Sequence, residues 1–242
     1  MIVRCLDIET LGLNPEDGIC EIGWCDILTA EGVPMVITGP QSILINPGYP
    51  IPPATSAVHH IVDADVSGAP SLADAMAIAC EGADVFAAHN AAFERGFLPS
   101  LNDRRWICSY KCAVTIAPDA PEHKLQTLRY WAKLDVDPIL ASPPHRAGPD
   151  AYVCAALLVR MMAKMSVDEM IDVSSRPVLL PKVHFGQHAK KPWSEVPLSY
   201  LEWIISKSKD PWDPDVLHTA KHWLAIKRKA DRSRGPQLDE GY

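Results

Sequence analysis

The sequence has no apolar run long enough to cross a membrane. Its start, "MIVRCLDIET", lacks the charged, apolar and small-residue progression of a secretory leader. It also lacks internal repeats and paired cysteine motifs. Seven cysteines are scattered through 242 residues, an odd number in a chain large enough to need no disulfide staples. Cys108 and Cys112 lie four apart without a second pair to complete a zinc site. These absences exclude a membrane-spanning helix and a disulfide scaffold. The thiols read as reduced and the expected location is the cytoplasm.

Net positive charge is missing too. The balance is −7, which argues against broad non-specific nucleic-acid binding. The charge is nevertheless uneven. "KVHFGQHAKK" (182–191) holds three lysines and no acid, and "KHWLAIKRKADRSR" (221–234) holds six lysines and arginines, with His222, against Asp231. Acids that bind divalent cations are neutralised in use, so formal charge understates affinity for phosphate.

The 48% hydrophobic content supports one sizeable core and a small extra module. "MIVRCLD", "ICEIGWCDIL", "SILINP" and "DVFAAH" read as strands. "WICSYKCAVTIA" reads as a strand or a strand–helix mix. "IPPATSAVHHI", "SLADAMAIACEGA", "NAAFERGFLPSL", "EHKLQTLRYWAKL" and "PDAYVCAALLVRMMAKM" read as helices, the last with Pro149 at its first position. Strands first and then strands alternating with helices imply a mixed sheet covered by helices. "SSRPVLLPK" is proline-punctuated, with Val178 to Leu180 a candidate short strand. "PLSYLEWIISKSKD" and "DPDVLHTAKHWLAIKRK" read as two further helices, and "ADRSRGPQLDEGY" as an aperiodic tail.

The chemistry begins at "RCLDIETLGL" (4–13). In a strand, residues i and i+2 share a face, so Asp7 and Glu9 aim at one point. Two like charges held together are unfavourable without compensation. The pair is either a solvated strand end or part of a cation site. "AAHNAAFERGF" places Glu94 early in a helix after a buried strand. "HRAGPDAYVCAALL" places His145 in a loop and Asp150 at the start of the long helix. Four carboxylates and a histidine at strand ends and helix starts fit two divalent metals about 3.5–4 Å apart, flanked by a base that activates water.

"DIETLGL", "HNAAFER" and "HRAGPDA" resemble, in order, the three motifs of the DnaQ-like 3′–5′ exonucleases of the DEDDh type, and within them the exonuclease X subfamily. "FGQHAKKPWSEVPLSYLEWII" resembles that subfamily's C-terminal segment. The resemblance implies a ribonuclease H-like α/β fold with a mixed five-stranded sheet flanked by helices. It implies an exonuclease domain over 1–172 and a small mainly helical module over 181–228; the proline-punctuated 173–180 reads as a linker and the aperiodic 229–242 as a disordered tail. It implies that Asp7, Glu9, Glu94 and Asp150 hold two Mg²⁺ or Mn²⁺ ions and that His145 is the general base. Thr10, Leu11, Leu13, His89, Asn90 and Phe93 would contact the terminal nucleotide. The implied reaction removes nucleoside 5′-monophosphates from the 3′ end of DNA, single-stranded by preference, in the context of DNA repair.

The chain departs from the family pattern at three places. Glu94 stands where the family has Asp. Gly148-Pro149 precede Asp150, where Pro149 is expected to delay the helix and loosen the loop carrying His145. "FGQHAKK" lacks the tail motif's second glycine. Other readings stay open: an RNA-trimming exoribonuclease, a polymerase proofreading subunit, or a nucleic-acid-binding protein with a weakened site. A homodimer is possible on family grounds. A polymerase or sliding-clamp partner has only the faint "PQLDEGY" behind it. His59 and His60 read as packing or helix surface. The i,i+4 pairs His184/His188 and His218/His222 lack a further ligand. Trp193, Tyr200, Trp203 and Trp223 read as the module's core, or alternatively as a base-stacking platform beside basic residues. The basic run 227–234 reads as a solvated tail or a phosphate-tracking arm.

Overall fold

The computed structural model describes residues 1–206 and 212–233. They fall into two compact units. The first comprises Met1–Ile116 with Ala120–Ser175, and the second comprises Ala117–Asp119 with the chain from Arg176 onward.

The first unit is a mixed sheet of β1 (Ile2–Thr10), β2 (Ile19–Ala30), β3 (Val33–Ile37), β4 (Gln41–Leu44), β5 (Val85–Ala88) and β6 (Trp106–Cys108), flanked by helices. The helices are α1 (Pro53–His59), α2 (Asp63–Val66), α3 (Leu72–Ala79), α4 (Ala91–Phe97), α5 (Ser109–Ile116), α6 (Leu125–Trp131), α7 (Ala147–Met162) and α8 (Val167–Ser175). The order across the sheet is β3-β2-β1-β5-β6, with β4 also on β2. β1 is antiparallel to β2 and parallel to β5.

Six strands therefore stand where the sequence suggests five. β2 is twelve residues long, and its two halves take different partners along one edge. Glu21 to Trp24 pair with β4, and Ile27 to Ala30 with β3. The additional strand, "VPMVI", contains a proline, which masks it in the sequence but is tolerated at a sheet edge.

Alternation along β1 sets the faces. Leu6 and Ile8 join Phe86, Ala88, Trp106, Ala75 and Phe97 in one core cluster, on the side of α3 and α4. Cys5 points the other way, its thiol in hydrogen-bond contact with the free thiol of Cys154 on α7. Asp7 and Glu9 continue the row of Cys5 toward the strand's end. Capping follows the sequence where it can: the Ser71 hydroxyl accepts from the Asp74 N–H at 3.3 Å and starts α3.

Helix α7 begins at Ala147, so Pro149 is its third residue and delays nothing. The first helical N–H groups have no intrahelical acceptor, and a proline there forfeits no bond.

The second unit holds α9 (Leu198–Ser206) and α10 (Pro214–Ser233), with short 3₁₀ turns at Gly186–His188 and Trp193–Glu195. Val178 to Leu180 is not a strand. The Val178 N–H donates to Asp215 at 2.9 Å and the Leu180 N–H to Thr219 at 2.9 Å, so the segment is tied to α10 by side chains. Of the presumed linker, residues 173–175 close α8, and of the presumed tail, 229–233 complete α10. Residues 234–242 lie outside the described residues. Among the described residues no helix is long and apolar enough to cross a membrane, and all seven cysteines are free thiols.

Candidate active site

β1 pairs with β5 only through Val3, Arg4 and Cys5, so Asp7 and Glu9 lie beyond that pairing. Gly23 of β2 sits opposite Asp7. A Cβ on Gly23 would overlap the backbone of Ala147 and Gly148. The missing side chain thus lets the start of α7 lie directly on the sheet. Asp150, in the first turn of α7, is brought to the carboxylates of β1. Ligand oxygens of Asp7, Glu9 and Asp150 all lie within 4.8 Å of one another.

Three features hold Asp150 there. The His145 N–H donates to its Oδ2 at 2.8 Å and the Gln126 amide to its Oδ1 at 2.6 Å. Gln126 is itself held by the guanidinium of the buried Arg129, at 3.3 Å. Arg146 forms a bidentate pair with Glu21 of β2, at 2.9 and 2.7 Å, and the Ala147 N–H adds a third bond to Glu21 at 3.0 Å. Glu21 is 1% exposed. This planar pairing fixes α7 against β2 one residue from His145.

Glu94 is buried on α4, and its Oε2 has no partner among the described residues. It is outside the tight trio, yet its charge reaches Asp7. Burial raises the Asp7 carboxyl well above the usual range, and the charges of Asp150, Glu9 and Glu94 add to it. Glu9 is pushed up to about 8 by burial and by Asp150 and Glu21. Glu94 is pushed to about 8 by burial. Burial also raises Asp150, against the opposing bonds from His145 and Gln126. Three converging carboxylates that repel one another, with the orphaned Glu94 charge within reach of Asp7, fit a divalent cation of the Mg²⁺ or Mn²⁺ type.

The pH dependence follows. Glu9 and Glu94, normally near 4.5 and here near 8, bind protons more tightly folded than unfolded. Raising the pH from about 5 to 8 is therefore expected to destabilise the metal-free protein. Mn²⁺ should raise the melting temperature more at pH 8 than at pH 6, and the metal-free loss should shrink in Glu94→Gln. Thermal scans with and without chelator measure both. A metal shift independent of pH contradicts the reading.

The remaining sequence-singled residues are spread around this cluster. His145 is exposed, with a left-handed φ of 60° pinned by its N–H bond to Asp150. The Thr10 hydroxyl donates to the Gly12 carbonyl at 2.6 Å, Leu11 is buried against Cys20 and Ile51, and Leu13 is 84% exposed. His89 spans Ser109 and the His123 carbonyl, both at 2.8 Å. Burial lowers its pKa to about 4. It is thus a neutral bracket whose Nε2–H donates to the carbonyl. Asn90 precedes α4 with its side chain uncommitted to the cap, and Phe93 packs on Phe97 at 4.9 Å. His59 is buried, its Nδ1 accepting from the Ile61 N–H at 3.1 Å, which is packing.

Sequence reasoning missed Glu21, Gln126, Arg129 and Arg146. Glu21 carried a signal, as an acid inside the apolar run "ICEIGW". Gln126 and Arg129 carried none, because only tertiary packing brings α6 to α7.

A mixed sheet with buried carboxylates converging at the end of its central strand is the architecture of a ribonuclease H-like nuclease. The chain belongs to the exonuclease family, whose RNase T-type profile matches residues 5–158, within the DnaQ-like superfamily. Exodeoxyribonuclease 10 of Escherichia coli strain K12, which is exonuclease X, is 32% identical over 228 residues, covering 92% of this chain and 99% of the relative. Exonuclease X solved in complex with 5′ overhanging duplex DNA superposes with a TM-score of 0.60 at 33% identity, over 71% of this chain and 99% of that one. Escherichia coli exonuclease I, solved with single-stranded DNA, shares the fold at 15% identity, with a TM-score of 0.53 over 71% of this chain and 42% of that one.

Proposed function

We propose that the chain is a 3′–5′ exonuclease that hydrolyses the terminal phosphodiester of DNA, single strands preferred, and releases nucleoside 5′-monophosphates. The observation that carries this reading is the convergence of Asp7, Glu9 and Asp150 within 4.8 Å, with the orphaned Glu94 beside them. These four would hold two divalent ions. When bound, the ions supply Lewis-acid activation of water and stabilise charge on the phosphate and the leaving 3′ oxygen.

The chain's own groups divide the remaining work. His145, exposed beside Asp150, takes the proton of the attacking water on its imidazole. The Glu21–Arg146 pair and the Gln126 amide set its position through the start of α7. Leu13 offers an exposed apolar contact for the terminal base, and the Asn90 amide a polar one. The backbone at Thr10 and Leu11 borders the nucleotide. His89, held neutral, walls the other side with Phe93 and transfers no proton.

DNA as substrate is favoured by two relatives: exonuclease X, an exodeoxyribonuclease solved on DNA, and exonuclease I, solved on single-stranded DNA. The test is a 5′-labelled single-stranded DNA oligonucleotide beside its RNA twin, with Mg²⁺ or chelator, on denaturing gels. The expected result is a Mg²⁺-dependent ladder shortening from the 3′ end, faster for DNA. A faster RNA twin would make the chain an RNA trimmer. An intact pair would leave a binding protein without the chemistry.

A further inference from the structure

The second unit contains aromatic surface that the proposed chemistry does not use. Trp193 is buried and forms the core, as expected from the sequence. Trp203, in contrast, is 40% exposed. Tyr200 stacks on Trp203 with ring centroids 5.1 Å apart and planes 24° apart. His188 meets the Tyr200 ring edge-on at 4.5 Å. With Gln187, Pro197 and Ser199, these three rings line a cavity of about 340 Å³, at the small end of ligand-pocket sizes. The His188 Nδ1 is buried without a hydrogen-bond partner among the described residues. Gly186, with a left-handed φ of 60°, closes the loop over Tyr200, because a Cβ there would meet the tyrosine oxygen. The cleft thus combines the stacked rings of Tyr200 and Trp203 with the polar groups of Gln187, His188 and Ser199.

Charge selects the occupant. After Ser175 the sequence carries twelve lysines and arginines against eight acids, whereas up to Ser175 it carries eleven against twenty-two. The stacked pair of Tyr200 and Trp203 lies in the cationic part of the chain. Lys190 and Lys191 are exposed and follow His188 after Ala189. Stacked aromatics beside basic residues bind single-stranded nucleic acid, with rings on bases and cations on phosphates. An uncharged peptide would gain nothing from the lysines, and an acidic one would pair with them but bring no base to stack on the rings.

We infer that the cleft of Tyr200, Trp203 and His188 is a second DNA site, which stacks an unpaired base of a single strand while Lys190 and Lys191 contact its backbone. This rests on the proposed function for the choice of DNA. It adds an anchoring site separate in the chain from the carboxylates.

The test is fluorescence anisotropy of the full chain with a 5′-fluorescein-labelled dT20 in chelator, over a salt series. Trp203→Ala should weaken binding about tenfold or more, and Trp203→Phe should restore most of it. Ser199→Glu, an exposed position in the first turn of α9 where an acid suits the helix, should weaken binding with the fold intact. Lys190→Ala with Lys191→Ala should flatten the salt dependence. Wild-type protein with no affinity for dT20, or Trp203→Ala and Ser199→Glu proteins that bind as wild type does, overturns the inference. Hydrolysis of thymidine 5′-monophosphate p-nitrophenyl ester by the wild-type protein with Mn²⁺ is followed separately. Its absence would sink the proposed nuclease chemistry and leave the binding arm to decide the cleft on its own.

Discussion

Asp7→Asn is expected to lower the rate of 3′-end hydrolysis by about 10³-fold or more while making the metal-free protein more stable. Both halves come from one cause. Asp7 is raised well above the carboxylate range by burial and by three neighbouring acids. Removing its charge relieves that repulsion when no cation is present. With cation present, the same substitution takes away a charged oxygen ligand from the point where negative charge grows during hydrolysis, a loss of several kcal/mol of transition-state stabilisation. A chelated thermal scan and a gel-based rate measure the two effects on one preparation. A variant that is less stable without metal would show that Asp7 serves the fold. One that keeps wild-type activity would show that the cluster is not the reaction centre.

Gly23→Ala is expected to cost about 10²-fold in activity, together with roughly 1–3 kcal/mol of stability. The added methyl has no room: it would meet the Ala147 and Gly148 backbone. The start of α7 must lift off β2, and Asp150 moves with it, away from Asp7 and Glu9. The bidentate Glu21–Arg146 pair at 2.9 and 2.7 Å resists that movement and must distort. The substitution touches no candidate ligand, so a large activity loss with retained folding would locate the effect in geometry. Chemical denaturation and the same gel assay measure it. Wild-type activity in Gly23→Ala would mean that the placement of α7 does not limit the chemistry.

The fold and the cluster differ in how far the sequence revealed them. Strand β1 and the facing of Asp7 and Glu9 were legible because a period of two needs no tertiary information. The long α7 was legible from its composition. Its start was misjudged because Pro149 suggested a first position, whereas a third position serves equally well when the N–H is unpaired. Strand β3 was hidden by Pro34, and its existence depends on β2 being long enough to take two partners on one edge. The carboxylates could be named from three separated motifs, but their convergence depends on Gly23, a residue whose role is only to be small. The Gln126–Arg129 support comes from a helix more than twenty residues before Asp150, which no local spacing announces.

The most direct measurement is Mn²⁺ binding to the full chain at pH 7.5, by titration calorimetry with electron paramagnetic resonance of the bound ions. The account predicts two Mn²⁺ per chain, close enough to couple magnetically, with Asp7→Asn abolishing the coupled pair. A chain that binds no Mn²⁺, or whose binding is unchanged by Asp7→Asn, would contradict it.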